Sequence, residues 1–128
     1  MPGEPILIVD DNPTNLKLVT YLMKSNGYDV RTAIDADTAL ASIRERPPHL
    51  VLMDVQLPGV DGLELTRRLK ADPATQRIAI IAVTAYAMKG DQEKALAAGC
   101  DGYVTKPIDT RKLPELVARM ITGVGEGR

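Results

Sequence analysis

Five short apolar runs recur along the chain, and three of them stop at an acid or a hydroxyl. Pro5 to Val9 (PILIV) runs into Asp10 and Asp11, Leu50 to Met53 into Asp54, and Ile78 to Val83 into Thr84. Continuous apolar runs of this length read as strands covered on both faces. Tyr28 to Ala33 and Gly102 to Thr105 make two shorter strands, the second ending at Lys106-Pro107. Between the strands the period changes to three and four. Asn12-Pro13 is a helix start, and Leu16, Val19, Leu22 and Met23 form its apolar stripe up to a stop at Gly27. Ala36, Ala39, Leu40 and Ile43 mark a second helix, broken before Pro47-Pro48. Leu63, Leu65, Thr66 and Leu69 outline a third that ends near Asp72-Pro73. A fourth runs from Met88 to Ala98, closed by Gly99, with Gly90 near its start costing about 1 kcal/mol against Ala. Asp109 caps the last helix, whose stripe is Leu113, Leu116, Val117, Met120 and Ile121. Pro114 arrives late for a first turn there, which predicts either a lost backbone bond or a delayed helix start.

Strands alternating with helices predict an α/β fold with an open five-stranded parallel sheet flanked by five helices, and right-handed crossovers leave few topologies. The strand order 2-1-3-4-5 puts a switch point between the first and third strands, where ligands bind in such sheets. Asp10 and Asp11 end the first strand and Asp54 the third, so three carboxylates converge on that crevice. After Asp54 the turn dipeptides Pro58-Gly59 and Asp61-Gly62 take the chain out of the sheet. The whole fits one domain, residues 1–122, followed by a disordered tail at 123–128 (GVGEGR).

Charge removes several partners. Lys and Arg number 16 against 17 Asp and Glu, so no basic excess draws nucleic acid or an anionic membrane. No apolar run approaches the roughly 18 residues of a membrane helix. The lone Cys100 excludes an internal disulfide, and the opening MPGEP is not an export signal, so a cytoplasmic protein is expected. Without Phe or Trp the core must be built from Leu, Ile, Val, Ala and Met with four Tyr. Cys100 reads as a small buried hydrophobe after the fourth helix, and His49 as a surface residue on the rim opposite Asp54.

Two unit charges about 5 Å apart repel by roughly 3 kcal/mol at an effective dielectric near 20, so three bare carboxylates call for a cation. Oxygen donors with no His or Cys nearby favour Mg²⁺ over zinc or copper. Asp11 and Asp54 are the expected direct ligands, and Asp10 acts through a water. Lys106, ending the fifth strand, brings an ammonium to the same rim, and Thr84 a hydroxyl. A metal, an ammonium and a hydroxyl around one carboxylate describe phosphoryl transfer to Asp54 as nucleophile. Singly, each residue has a plainer explanation: Asp10 and Asp11 as capping acids, Asp54 and Thr84 as turn formers, Lys106 as a solvated loop charge. It is their joint placement on adjacent strand ends that argues for chemistry.

The motifs IVDD, LMDVQLPGVDG, VTAYA and YVTKP, in this order from about Pro5 to Ile121, resemble the two-component response-regulator receiver domains of the flavodoxin-like, CheY-like fold. The MKGD after VTAYA, with Gly99-Cys100, is most similar to the DivK-type single-domain receivers. The resemblance implies that Asp54 is the phosphoacceptor, that Gln56 offers a backbone carbonyl to Mg²⁺, and that Thr84, Tyr103 and Lys106 form a switch. It also implies a cis Lys106-Pro107 bond. The expected donor is a phosphohistidine on a histidine kinase or phosphotransfer protein. The expected output is a downstream target protein bound by the face of helix four, strand five and helix five. Such a domain is no conventional enzyme but a phosphoacceptor switch that promotes its own phosphorylation and dephosphorylation, as a monomer or weak dimer. Tyr86, two residues after Thr84, is expected to shield the acyl phosphate from water. Three alternatives stand beside this: a receiver fragment of a hybrid kinase or larger regulator, a Mg²⁺-dependent phosphohydrolase, and a phosphorylation-independent interaction module. Against the hydrolase, the second residue after Asp54 is Gln56 and not a general acid.

Overall fold

The apolar runs have no polar face because every side chain on the inner strands meets a helix. In the computed structural model, which describes residues 3–57, 62–85 and 90–123, the elements follow in the order β1 (Pro5–Val9), α1 (Pro13–Ser25), β2 (Asp29–Ala33), α2 (Ala36–Glu45), β3 (Leu50–Asp54), α3 (Gly62–Ala71), β4 (Ala79–Thr84), α4 (Asp91–Ala98), β5 (Gly102–Thr105) and α5 (Lys112–Gly123). The strands form one parallel sheet in the order β2-β1-β3-β4-β5, as the alternation predicts. Leu7, Val9, Val51, Met53, Ile80 and Ala82 point to one side, where Ala39 and Ile43 of α2, Leu65 and Leu69 of α3 and Ala95 of α4 cover them. Ile6, Ile8, Leu50, Leu52 and Ile81 point to the other, under Val19 and Met23 of α1 and Leu113 and Val117 of α5. Burying each Leu, Ile or Met contributes about 1.5–3 kcal/mol, the main force holding the strand ends in register.

Helix ends explain the small departures from the sequence pattern. Asn12 caps α1, its side chain accepting from the amides of Thr14 and Asn15. Pro114 is the third residue of α5, inside the first turn, where an amide has no helical partner anyway. The delayed start is therefore the outcome, and Asp109 Oδ1 accepts the amides of Arg111 and Lys112 just ahead of it. α4 starts at Asp91, with Gly90 at a left-handed φ of 93° as its N-cap. Met88 and Tyr86 fall outside the described residues. β2 begins at Asp29, one residue after Tyr28, and β4 at Ala79, one after Ile78. α5 reaches Gly123, the first residue of the expected tail, and 124–128 lie outside the described residues.

Cys100 is buried behind α4, and burial pushes its thiol up. His49 is exposed ahead of β3. Among the described residues no helix is long and apolar enough to cross a membrane.

Candidate functional site

Parallel strands end together, so the residues closing β1, β3 and β4 share one rim. Asp10 follows β1, while Asp54 and Thr84 are the last residues of β3 and β4. All three are buried, at 5 %, 3 % and 3 % exposure, whereas Asp11 is exposed. Carboxylate oxygens of Asp10, Asp11 and Asp54 lie within 4.8 Å of one another. The predicted convergence of these three side chains is therefore what the fold produces.

Lys106 reaches this cluster from beyond β5. Its amide donates to the Thr84 carbonyl at 2.7 Å, which keeps the chain against β4 for one residue past the strand. Its Nζ then stands 3.3 Å from Asp54 Oδ2 and 3.4 Å from Asp10 Oδ2. The following Lys106-Pro107 bond is cis. Asp54 is further held by the Gln56 amide, which donates to Oδ1 at 3.0 Å. Burial pushes the Asp54 carboxyl up from the ordinary carboxylate value and the Asp10 charge adds to this, while the Gln56 amide and Lys106 pull it back.

The start of α3 lies close against the end of β3. The Gly62 amide donates to Val55 O at 2.8 Å, and a Cβ on Gly62 would lie 2.2 Å from the Asp54 carbonyl oxygen. Only glycine lets α3 begin so close to the strand end. Residues 58–61 are outside the described residues.

Sequence reasoning missed the fastening of Asp10. Its Oδ1 accepts the Asn12 amide at 2.8 Å and its Oδ2 accepts Asn15 Nδ2 at 3.1 Å. The signal was present in the spacing: Asn12 is the N-cap, and a polar residue three places on can reach back past the cap. A second device also joins distant parts. Lys70 Nζ donates to Ile78 O at 2.8 Å and to Asp101 Oδ2 at 2.9 Å, and the same oxygen accepts the Ile80 amide at 2.9 Å. This ties α3 to the starts of β4 and β5.

The donor set fits a hard divalent cation. It offers carboxylate oxygens alone, one exposed and two buried, with no His or Cys in the cluster, and the burial cost on Asp54 is one that a cation would offset. Tyr103 is partly buried on β5 and lines a groove of about 780 Å³ with Gln92, Glu93, Pro107, Ile108 and Lys112. Leu96 of α4 is 52 % exposed nearby in sequence.

Comparison with known proteins points the same way as the geometry. The family model for response regulator receiver domains matches residues 6–118. The polar-differentiation response regulator DivK of Brucella anthropi is 44% identical over 112 residues, covering 88% of this chain and 91% of the relative. Among solved structures, the receiver domain of a sensor histidine kinase from Pseudomonas aeruginosa PAO1, with a magnesium ion coordinated in its active-site cleft, aligns with a TM-score of 0.85 at 37% identity, covering 93% of this chain and 98% of that one. A CheY-like receiver domain protein from Methanospirillum hungatei JF-1 aligns at 0.87 and 31% identity, over 94% and 95% of the two chains.

Proposed function

Because the chain belongs to the response regulator receiver domain family, we propose that Asp54 accepts a phosphoryl group from a phosphohistidine of a histidine kinase or phosphotransfer protein and that the protein signals by the resulting change of surface. The observation that carries this reading is the Lys106 ammonium set 3.3 Å from Asp54 beside a cluster of three carboxylates. Asp11, Asp54 and the Gln56 backbone carbonyl would hold Mg²⁺, with Asp10 acting through a water. When bound, the metal supplies charge neutralisation for the phosphoryl oxygens and for the carboxylate cluster.

The protein's own groups divide the remaining work. The Gln56 amide fixes Asp54 Oδ1, so the carboxylate keeps one orientation as nucleophile. An Asp54 oxygen attacks phosphorus while the P–N bond to the donor imidazole breaks. The nitrogen leaves with the electron pair and ends as a neutral, proton-bearing ring. Lys106 neutralises charge gathering on the transferred group, and the Thr84 hydroxyl donates to a phosphoryl oxygen. Thr84 moving inward leaves room that the Tyr103 ring fills, which repacks α4, β5 and α5 around the groove at Tyr103, the surface offered to a downstream target. The same site would promote hydrolysis of the acyl phosphate, an autophosphatase activity in place of a separate enzymatic one. In this reading the protein works in the cytoplasm as a DivK-type regulator, monomeric or weakly dimeric, and the 44% identity to DivK is what supports the type.

Labelling with acetyl phosphate tests the assignment. Incorporation should need Mg²⁺ and vanish in Asp54→Asn. A variant that labels at a rate comparable to the parent protein would show that Asp54 is not the acceptor.

A further inference from the structure

Lys106 is shared almost evenly, at 3.3 Å from Asp54 Oδ2 and 3.4 Å from Asp10 Oδ2. Only its share toward Asp54 serves a phosphoryl group there. What sets the balance is how much negative charge each carboxylate still offers, because the ammonium is a point charge without a preferred bidentate geometry. The Asp10 oxygen facing Lys106 is also the one that accepts Asn15 Nδ2 at 3.1 Å. An ionised carboxylate only accepts, so the Asn15 group facing it is the amide nitrogen. Asn15 is itself rooted, partly buried at the start of α1, its amide donating to the Asn12 cap at 3.1 Å. The Asn12 amide occupies the other Asp10 oxygen.

From this geometry we infer that Asn15 is a positioning residue: by occupying Asp10 Oδ2 it weakens the hold of Asp10 on Lys106 and keeps the ammonium available to Asp54. The inference rests on Asp54 being the acceptor. Removing the Asn15 donor returns charge to Asp10 Oδ2, and Lys106 moves toward it and away from Asp54. Among the described residues the bond of Asn15 to the carboxylate cluster is the one to Asp10, so its effect on transfer runs through Asp10 and Lys106.

A double-mutant cycle tests this route, with Asn15→Leu, which keeps the bulk and deletes the donor, combined with Lys106→Met, which keeps the stem and deletes the charge. Labelling by acetyl phosphate at saturating Mg²⁺ should slow about tenfold in Asn15→Leu, the scale of one lost charge-assisted hydrogen bond. It should slow no further when Asn15→Leu is added to Lys106→Met. The same four proteins are unfolded in urea with EDTA present, where the two substitutions should again be non-additive with no metal or phosphate involved. Equal effects of Asn15→Leu in both backgrounds, or no slowing in the first, would overturn the inference. Where Lys106→Met labels too slowly to time, the unfolding cycle decides. Asp54→Asn is run beside them: if it labels, the acceptor assignment itself has failed, whereas a blank there with an additive cycle rejects the role of Asn15 alone.

Discussion

A carboxylate 3 % exposed, within 4.8 Å of two others, is costly to ionise. Burial first, and the Asp10 charge with it, raise the Asp54 carboxyl above the ordinary carboxylate range. A group raised on folding contributes stability that is complete below its unfolded value and is lost as pH rises through the folded one. At neutral pH the metal-free protein therefore carries a cost at Asp54 that Asn would not. Asp54→Asn should raise the urea midpoint in EDTA at pH 7.5, and the gain should shrink toward pH 4. A variant less stable than the parent at neutral pH would mean that the bond to Lys106 outweighs the burial. Cys100 shows the same physics without function: its thiol, pushed up by burial, should react with thiol reagents far more slowly in the folded protein than in urea. The acids and Lys106 were legible from the sequence because each closes an apolar run. Asn15 was not singled out, since its partner is a side chain of the preceding strand end and hydrophobic period carries no information about that contact.

Elements were legible where apolar period and punctuation agreed, as at Asn12-Pro13 for α1 or the acid ending β3. They were less so where backbone geometry decided, as at Gly90, whose positive φ places it before α4 and not within it. The junction between β3 and α3 is the clearest case of a constraint invisible to pattern. The Gly62 Cα passes so close over the strand end that an added Cβ would meet Asp54 O at 2.2 Å and Met53 Cγ at 3.0 Å. One of the two obstacles is backbone and cannot rotate away, so Gly62→Ala should cost about 3 kcal/mol, the upper part of the usual overpacking range. It should also slow labelling by displacing Asp54. Unchanged urea unfolding in that variant would show that α3 can shift at little expense. The start of α2 has a different sensitivity. Asp35 accepts the Thr38 amide at 2.8 Å, and bonds from Thr38 hold its carboxyl below the ordinary value. A lowered carboxyl gives stability that is present above its unfolded value and lost as pH falls through the folded one. Asp35→Ala should therefore lower the thermal midpoint at pH 7 and have less effect near pH 3, and a constant difference across that range would argue against the cap.

Across the molecule the question is how charge added at one rim reaches a face built from α4, β5 and α5. One charge-assisted hydrogen bond from Thr84 to a phosphoryl oxygen is worth roughly 1.5–3 kcal/mol. Moving an equilibrium from 1:99 to 99:1 takes about 5.5 kcal/mol, so Thr84 alone is too little. On the proposed reading Lys106, leaving Asp10 for the phosphoryl group, and the Ala85 amide would supply the rest, and the bond from the Lys106 amide to Thr84 O would link the movements, since β4 and β5 are paired up to Thr84 and Thr105. α4 is the element best placed to answer. It is short, its Gly90 cap makes no side-chain hydrogen bond, and it buries only Ala95 and Ala98 among the side chains described. Its far end is fixed, because Gly99 and Cys100 close back on Leu96 and Ala95 while Lys70 and Asp101 tie the next residues to α3 and β4. Motion should thus be largest at the Gly90 end and fade toward Gly99. Saturating the protein with beryllofluoride and Mg²⁺ should shift the amide signals of residues 90–96 and 103–106 more than those of 98–101. Shifts confined to residues 10–12 and 54–57 would leave Asp54 a phosphate acceptor with no readable switch, and shifts as large at 98–101 as at 90–96 would show that α4 moves as a whole and not about its tied end.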